Sequence, residues 1–311
     1  MNSDFRIRPL RDSDTDAIVR LYDDAATRDA GIGPITNDQW TKFISRAQNH
    51  DGRDFRVVLH NEQLVGLAES SLRDQDGKRV RFLKLLVQPP MRRQGIGTAL
   101  LVELLSLDTP ADDLSFQAVA ASKWVDGIAF LEASGFSYIE SEISMSCSSL
   151  RTNAESPSIG VSVERVETPA LYGDMIARIH NAAFASDVAF RAYRASEMAD
   201  LLAEEEQELW IVRDASRVVG YCRFESDPKQ IWLEEIAIAP SDQGKGFGTA
   251  RAHRALQTIG IDQERPAGLS VSSVNRAALA MYQQLGFAIR NEKRRYSAQQ
   301  ANLNARISRK P

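Results

Sequence analysis

The chain repeats itself at the scale of a domain. Residues 83–105 read LKLLVQPPMRRQGIGTALLVELL and residues 234–256 read EEIAIAPSDQGKGFGTARAHRAL. Pro89 and Pro240, Gly97 and Gly248, and the pairs Gly135-Phe136 and Gly286-Phe287 all stand 151 residues apart. Three landmarks at one offset mark an internal duplication. The period is too long for a solenoid unit, so the chain reads as two copies of one domain. Its 311 residues accommodate both, and each half is long enough to bury its own core.

Each copy presents the same order of elements. In the first, Phe5–Arg8 reads as a strand. A helix follows, with Ile18, Leu21 and Tyr22 at helical spacing and Asp14 or Thr15 as its cap. Phe55–Leu59 and Leu64–Ser70 read as paired strands across the His60-Asn61 turn. Then come a strand Phe82–Val87, a helix Gly97–Leu107, a strand Phe116–Ala120, a helix Val125–Ser134 and a last strand Phe136–Met145. The second copy repeats this with strand Val161–Arg165, helices Leu171–Ala183 and Ser196–Glu206, and strands Leu209–Arg213, Val218–Glu225 and Ile231–Ile238. Helix Gly248–Ile259, strand Leu269–Ser272, helix Asn275–Leu285 and strand Phe287–Ser297 complete it. The expected division is 1–149 for the first domain, 150–160 for a linker inside the polar stretch Ser148–Ser158, and 161–311 for the second. The polar tail from Ala298 reads as a solvated extension.

Each copy places a glycine-spaced loop between a strand and a helix: Arg93-Gln94-Gly95-Ile96-Gly97-Thr98, and Gln243-Gly244-Lys245-Gly246-Phe247-Gly248-Thr249. A helix N-terminus leaves N–H groups unpaired and carries partial positive charge. Glycine lets the backbone approach a bound group, so such a loop suits a phosphate or diphosphate. Lys245, Arg92 and Arg93 add mobile cations. The dinucleotide fingerprint is a poor fit, because no strand-end acid follows at its spacing. The GxxxxGK[ST] loop is absent.

Composition excludes other classes. Apolar residues make up 43% and charged residues 26%, with a net charge of −4. This is ordinary for a globular protein and gives no overall pull toward nucleic acid or an anionic membrane. Two cysteines, Cys147 and Cys222, and four histidines show neither a disulfide framework nor metal-ligand spacing. No metal is expected. The N-terminus lacks a signal-peptide core, and apolar runs such as Thr98–Leu105 are too short to span a bilayer. A reduced, cytoplasmic, soluble protein is expected.

The order strand, [QR]-x-x-G-x-[GA] loop, helix, then Asn275-x6-Tyr282-x3-Gly286-Phe287, resembles the GNAT superfamily of acetyl-CoA-dependent N-acetyltransferases. The likeness covers both halves, in a layout similar to mycothiol-synthase-like and other tandem members. It implies an α/β (α+β) fold of two tandem domains, each a mixed, mostly antiparallel central sheet flanked by helices. It implies acetyl-CoA as acyl donor, with acetyl the default among thioesters. The pantetheine arm would lie on the main chain of Ile236, Ala237 and Ile238, with Leu85, Leu86 and Val87 matching them in the first copy. The loop residues, Gln243 to Thr249 and Arg93 to Thr98, would hold the diphosphate.

The reaction needs a base for the amine, donors for the oxyanion and an acid for the departing thiolate. Main-chain N–H groups of the central strand serve the oxyanion. The resemblance puts Tyr282 at the general-acid position. A phenol near ~10 and a thiol near ~8.5 are close enough for the transfer. Asn275 either bonds the pantetheine arm or caps its helix. Two adjacent carboxylates, Glu234 and Glu235, sit in an otherwise apolar strand, and burial there would raise a carboxyl pKa toward general-base use. In several relatives the base lies four residues before the first pantetheine residue, a position taken here by Trp232. Glu234 shares a face with Trp232 and Ile236 and is the expected base; a bulge would transfer the role to Glu235.

At the first copy's matching positions stand Leu131, Trp124, Leu83 and Lys84. That copy keeps the loop and loses the proton-transfer groups, so it is read as binding coenzyme A without turnover. The expected activity is acetyl transfer to a primary amine of a small molecule, performed by the second domain. The alternative is a non-catalytic tandem coenzyme A-binding regulator or scaffold. Aminoacyl transfer from tRNA is disfavoured by the charge balance. Acidic clusters at Asp23, Asp24, Asp29 and Glu204–Glu206 are candidates for attracting a cationic acceptor, though such runs are more often solvated faces. The oligomeric state is not read from the sequence; two fused copies are compatible with a monomer acting as an internal pseudo-dimer.

Overall fold

The computed structural model describes residues 5–29, 32–45, 53–75, 78–107, 114–151, 161–185, 190–226, 230–243, 256–257, 259–261 and 264–307. It divides into two compact units, residues 1–141 with 293–311, and residues 142–292.

Unit 1 contains β1 (Phe5–Pro9), α1 (Thr15–Ala26), α2 (Asn37–Ser45), β2 (Arg53–His60), β3 (Gln63–Gln75), β4 (Lys78–Val87), α3 (Ile96–Leu105), β5 (Leu114–Ala121) and α4 (Val125–Ser134). Its strand order is β1-β2-β3-β4-β5, followed by the C-terminal strand β12 (Ala288–Gln299). Among the described strands of this unit only β4 and β5 run parallel. One face of the sheet is covered by α1 and α2 through Ile18, Leu21 and Trp40. The other is packed by Leu100, Leu104, Phe116 and Tyr296.

Unit 2 takes the end of β6 (Ser137–Cys147), then β7 (Val161–Arg165), α5 (Gly173–Phe184), α6 (Ala195–Leu202), β8 (Gln207–Asp214), β9 (Arg217–Ser226), β10 (Ile231–Ile238), β11 (Ala267–Ser272) and α7 (Arg276–Leu285). The order is β6-β11-β10-β9-β8-β7, with β10 and β11 the parallel pair. Ile176, Met198, Ile211 and Tyr221 form one core layer. Phe224, Leu233, Leu269 and Phe287 belong to another.

The units differ from the sequence repeat at one place. The strand after Gly135-Phe136 enters unit 2, where Glu142–Cys147 pairs antiparallel with Ser272–Ala267. The strand after Gly286-Phe287 enters unit 1, where Lys293–Gln299 pairs with Ala121–Ser115. The two terminal strands are exchanged between the copies. Either β-patterned strand can satisfy the ladder of its counterpart, so no local property of the sequence announces the exchange.

The Gly-Phe pairs have a local cause. Gly135 and Gly286 close α4 and α7 at φ +102° and +104°, a left-handed cap conformation that glycine adopts at least cost. The next N–H turns back, from Phe136 to Leu131 O at 3.1 Å and from Phe287 to Tyr282 O at 2.9 Å. Both phenylalanines are then buried.

Two expectations are corrected and one element is added. The tail is not a solvated extension over its whole length. Gln300–Ile307 forms a helix, α8, with Leu303 completely buried and Gln300 Nε2 donating to Leu105 O at 3.0 Å. Its apolar residue is isolated in sequence and gains a core only in three dimensions. Secondly, Asp14 precedes α1 but its side chain makes no cap bond; it accepts from both Arg8 Nη atoms at 2.7 Å and from Arg11 N. Finally, α2 was not anticipated, although Trp40, Phe43 and Ile44 carry its spacing. The linker residues 152–160 lie outside the described residues.

Candidate active site

The central strand of unit 2 parts from its parallel neighbour halfway along. The β10–β11 ladder covers only Ile231–Leu233, whereas pairing with β9 continues to Ile238. Among the described residues, no strand pairs with the other edge of β10 from Glu234 onward. Main-chain groups there need partners, and an extended ligand arm can supply them. On the β9 side Gly220 permits close approach: a Cβ there would stand 2.5 Å from Ala237 O. Unit 1 repeats the opening, with β4–β5 pairing ending at Leu83 and β3–β4 pairing running to Val87.

A cavity of about 390 Å³ lies at the unit 2 opening, lined by Glu234, Glu235, Ile236, Asn275, Tyr282 and His180 among others. The expected acid, both candidate bases and the helix-capping asparagine therefore share one space, inside the size range of ligand sites. Ala237 is buried on the opposite side of the strand from its neighbours, as alternation requires.

The pairing of β10 with β9 shifts between Leu233 and Glu235, so Glu234 is the extra residue of a bulge. This bulge is the condition that the sequence sets for transferring the base role to Glu235. It breaks the alternation that would have put the two glutamates on opposite faces, and both line the cavity, so the bulge leaves both as candidates. Their environments differ. Glu235 Oε2 accepts from Tyr221 Oη at 2.6 Å and lies 3.4 Å from His180 Nδ1. Its Oε1 accepts from Arg223 Nη2 at 3.1 Å. Burial by itself would raise the Glu235 carboxyl, but His180, Arg223 and Tyr221 outweigh it and lower the pKa to about 2. Glu234 is more open, with only a 3.5 Å contact to Arg223 Nη2. Its pKa is raised, by burial first and then by Glu225 and Glu235, against the attraction of Arg223.

Sequence reasoning missed His180, Tyr221 and Arg223. The signals were present: Arg223 interrupts the apolar run of β9, two residues from Tyr221 and on the same face, and His180 follows Ile176 by one helical turn on the buried side of α5. His180 is further fixed by an Nε2 contact of 3.1 Å with Arg191 O.

Tyr282 projects from α7 and is 8% exposed. Burial, with a smaller effect of Cys222, holds its phenol above the ordinary range, which keeps it protonated. Cys222 is itself buried and pushed up to about 12, so it is no nucleophile. Asn275 caps α7, its Oδ1 accepting from Ala278 N at 3.0 Å. Gln243 closes the turn after β10, donating from Nε2 to Ile238 O at 3.0 Å. The loop residues Gly244, Lys245, Gly246, Phe247, Gly248 and Thr249 lie outside the described residues.

In unit 1 the corresponding loop is described. Arg93 has φ +64° and Gly95 φ +85°, and Ile96, Gly97 and Thr98 open α3. A left-handed turn feeding a helix N-terminus directs successive N–H groups to one side, the geometry that receives an anion. Gln94 Nε2 donates to Pro90 O at 3.3 Å. Arg92 is not the mobile cation expected. It is ion-paired with buried Asp29 and donates to Val87 O. Asp29 is correspondingly no solvated acid.

Comparison with known proteins agrees with this architecture. The model of the acetyltransferase (GNAT) family matches the chain twice, over residues 15–111 and 174–287. Mycothiol acetyltransferase of Mycobacteroides abscessus is 24% identical over 309 residues, covering 90% of this chain and 95% of the relative. That of Rhodococcus opacus is 26% identical, covering 84% and 88%. A GCN5-related N-acetyltransferase from Sphaerobacter thermophilus superposes with a TM-score of 0.71 at 15% identity, covering 96% of this chain and 97% of the other. A tandem GNAT protein from the clavulanic acid biosynthesis pathway does so at 0.69 and 19% identity, covering 95% and 98%. With two family matches, two parallel-strand openings and a domain-length repeat, the chain belongs to the acetyltransferase (GNAT) family, in a tandem arrangement.

Proposed function

We propose that unit 2 transfers an acetyl group from acetyl-CoA to a primary amine of a small-molecule acceptor by direct attack. The observation that carries this reading is the shared cavity of Tyr282, Glu234 and Glu235 beside the unpaired edge of β10. Bound acetyl-CoA supplies an activated carbonyl and a thiolate leaving group. The remaining work falls to the protein. The edge of Ile236–Ile238 accommodates an amide-bearing arm and offers N–H groups where negative charge develops. Loop residues 243–249, with Lys245, hold the diphosphate. Asn275, beyond its capping role, lies on the wall that faces the arm.

Glu234 receives the amine proton. Its raised pKa moves it toward the operating range of a general base. Glu235 remains ionised and is held by Tyr221, Arg223 and His180, so it attracts and orients a cationic amine. Tyr282, protonated because it is buried, delivers its proton to the departing sulfur.

Unit 1 keeps the loop of Arg93 to Thr98 and the strand Leu85, Leu86 and Val87, and we assign it a non-catalytic role, with coenzyme A as a candidate ligand. Among acceptors, amino-sugar thiol precursors stand first, since the curated relatives act as mycothiol acetyltransferases; polyamines, aminoglycosides and peptide N-termini complete the panel.

The test is thiol release from acetyl-CoA by the full chain with each amine, and calorimetric titration with acetyl-CoA alone. Saturable binding and amine-dependent release support the reading. No saturable binding of acetyl-CoA or coenzyme A overturns it, and binding without turnover of any amine favours the non-catalytic alternative.

A further inference from the structure

Unit 1 encloses a cavity of about 710 Å³ against β4 and β5, larger than the one in unit 2 and within the range of small-molecule sites. Its walls include the four positions at which the first copy departs from the second: Leu83 for Glu234, Lys84 for Glu235, Leu131 for Tyr282 and Trp124 for Asn275. The framework landmarks Gly97 and Gly135-Phe136 are retained between the copies. The substitutions that remove acetyl-transfer chemistry therefore fall on one cavity wall, and they leave an open space rather than a filled core.

The same substitutions invert its charge. Among the described residues no aspartate or glutamate lines the cavity, and the charged residues on its wall are Lys84 and Lys293. Lys84 Nζ donates to Tyr22 Oη at 2.7 Å and sits 4.8 Å from the centre of that ring. An ammonium has three donors, so this bond leaves two for a ligand. Glu69 is opposite Lys84 in the β3–β4 ladder but is not part of the cavity wall. Among the described residues no carboxylate reaches ion-pair distance of the Lys84 ammonium. The indole N–H of Trp124, a residue of the wall, is itself buried and has no hydrogen-bond partner among the described residues; its ring is seated against Gly127, where a Cβ would stand 2.7 Å away. Apart from Gln39 the rest of the surface is chiefly aromatic and aliphatic, with Trp40 and Phe43 at 5.6 Å between ring centroids.

We infer that this cavity is a second ligand site, and that it takes a small apolar carboxylate rather than an amine. The Lys84 ammonium receives the carboxylate, and the Trp40, Phe43 and Phe130 side takes the hydrocarbon body. A cation is disfavoured by the like charge of the Lys84 ammonium, an effect that solvent attenuates because that side chain is exposed. The cavity shares Leu85 and Leu86 with the strand on which coenzyme A is the candidate ligand of unit 1, so the two ligands would compete for it; the inference is independent of acetyl transfer in unit 2.

The test uses three probes of equal chain length with the full chain: octanoate, octanol and octylamine, titrated calorimetrically. Octanoate is expected to bind tightest and octylamine weakest. Lys84→Met should weaken octanoate about tenfold, to the level of octanol, which changes little. Lys84→Arg should retain the preference, and Glu235→Gln in unit 2 should not alter it. Lys84 is exposed, and far-UV circular dichroism verifies that each variant folds. The inference is overturned if octanoate does not bind, if it binds no more tightly than octylamine, or if its affinity responds to Glu235→Gln and not to Lys84→Met.

Discussion

The Tyr221 hydroxyl donates to Glu235 Oε2 at 2.6 Å across the β9–β10 pair, from a side chain that is completely buried. A buried carboxylate is costly unless paired, and Tyr221, Arg223 and His180 together make this one stable as an anion. Tyr221→Phe removes a hydrogen bond to a charged group. It should reduce stability by about 1–3 kcal/mol at neutral pH, measured by urea denaturation. The sign with pH follows from the depressed pKa of Glu235, about 2 against the usual 4.5. Its contribution is fully present above pH 4.5 and is lost as pH falls toward 2. In Glu235→Gln that part of the acid destabilisation should disappear, and an unchanged acid limb would show that Glu235 is not the group responsible.

Glu234 has the opposite shift. Its pKa lies above the usual carboxylate value, chiefly through burial, so the base form is lost as pH falls through a midpoint above 4.5. The acid limb of kcat/KM should show that midpoint. Glu234→Gln should lower kcat by about 10²-fold and abolish the limb. A variant that keeps both the limb and the rate would transfer the base role to Glu235.

Tyr282→Phe keeps the ring packed 5.8 Å from Phe287 and removes only the hydroxyl. We expect kcat to fall by about 10²-fold with the KM for acetyl-CoA little changed, because the loss concerns proton delivery and not binding. Steady-state kinetics decide it: a loss confined to KM would make Tyr282 a binding residue.

Leu303 on α8 is completely buried in the core of unit 1. Leu303→Ala should cost about 2–5 kcal/mol by thermal or chemical unfolding. A cost of a few tenths would restore the view of the tail as a surface appendage.

Much of the fold was legible. Ile231–Ile238 and Val125–Ser134 match strand β10 and helix α4 end to end, because apolar period and glycine punctuation are local properties. Tyr282 and Asn275 were legible as candidates through their spacing to Gly286-Phe287 and the family resemblance it carries, and the glutamate pair as two adjacent carboxylates in an otherwise apolar strand. The choice between Glu234 and Glu235 was not, since it depends on a bulge created by β9 against β10. The partners of Glu235 come from α5 and β9, 55 and 12 to 14 residues away, and no local pattern relates them.

The amino-acid sequence alone determined that one domain is written twice, with a glycine-spaced loop in each copy and Tyr282, Asn275 and the glutamate pair in the second only. Those are matters of order and spacing along the chain. Tertiary structure decided which strand completes which sheet, which carboxylate stays charged, and that the losses of the first copy leave a cavity with cations on its wall. Each of these depends on groups distant in sequence meeting in a space of low dielectric, where pairing and solvent exclusion, rather than residue identity, set the energy.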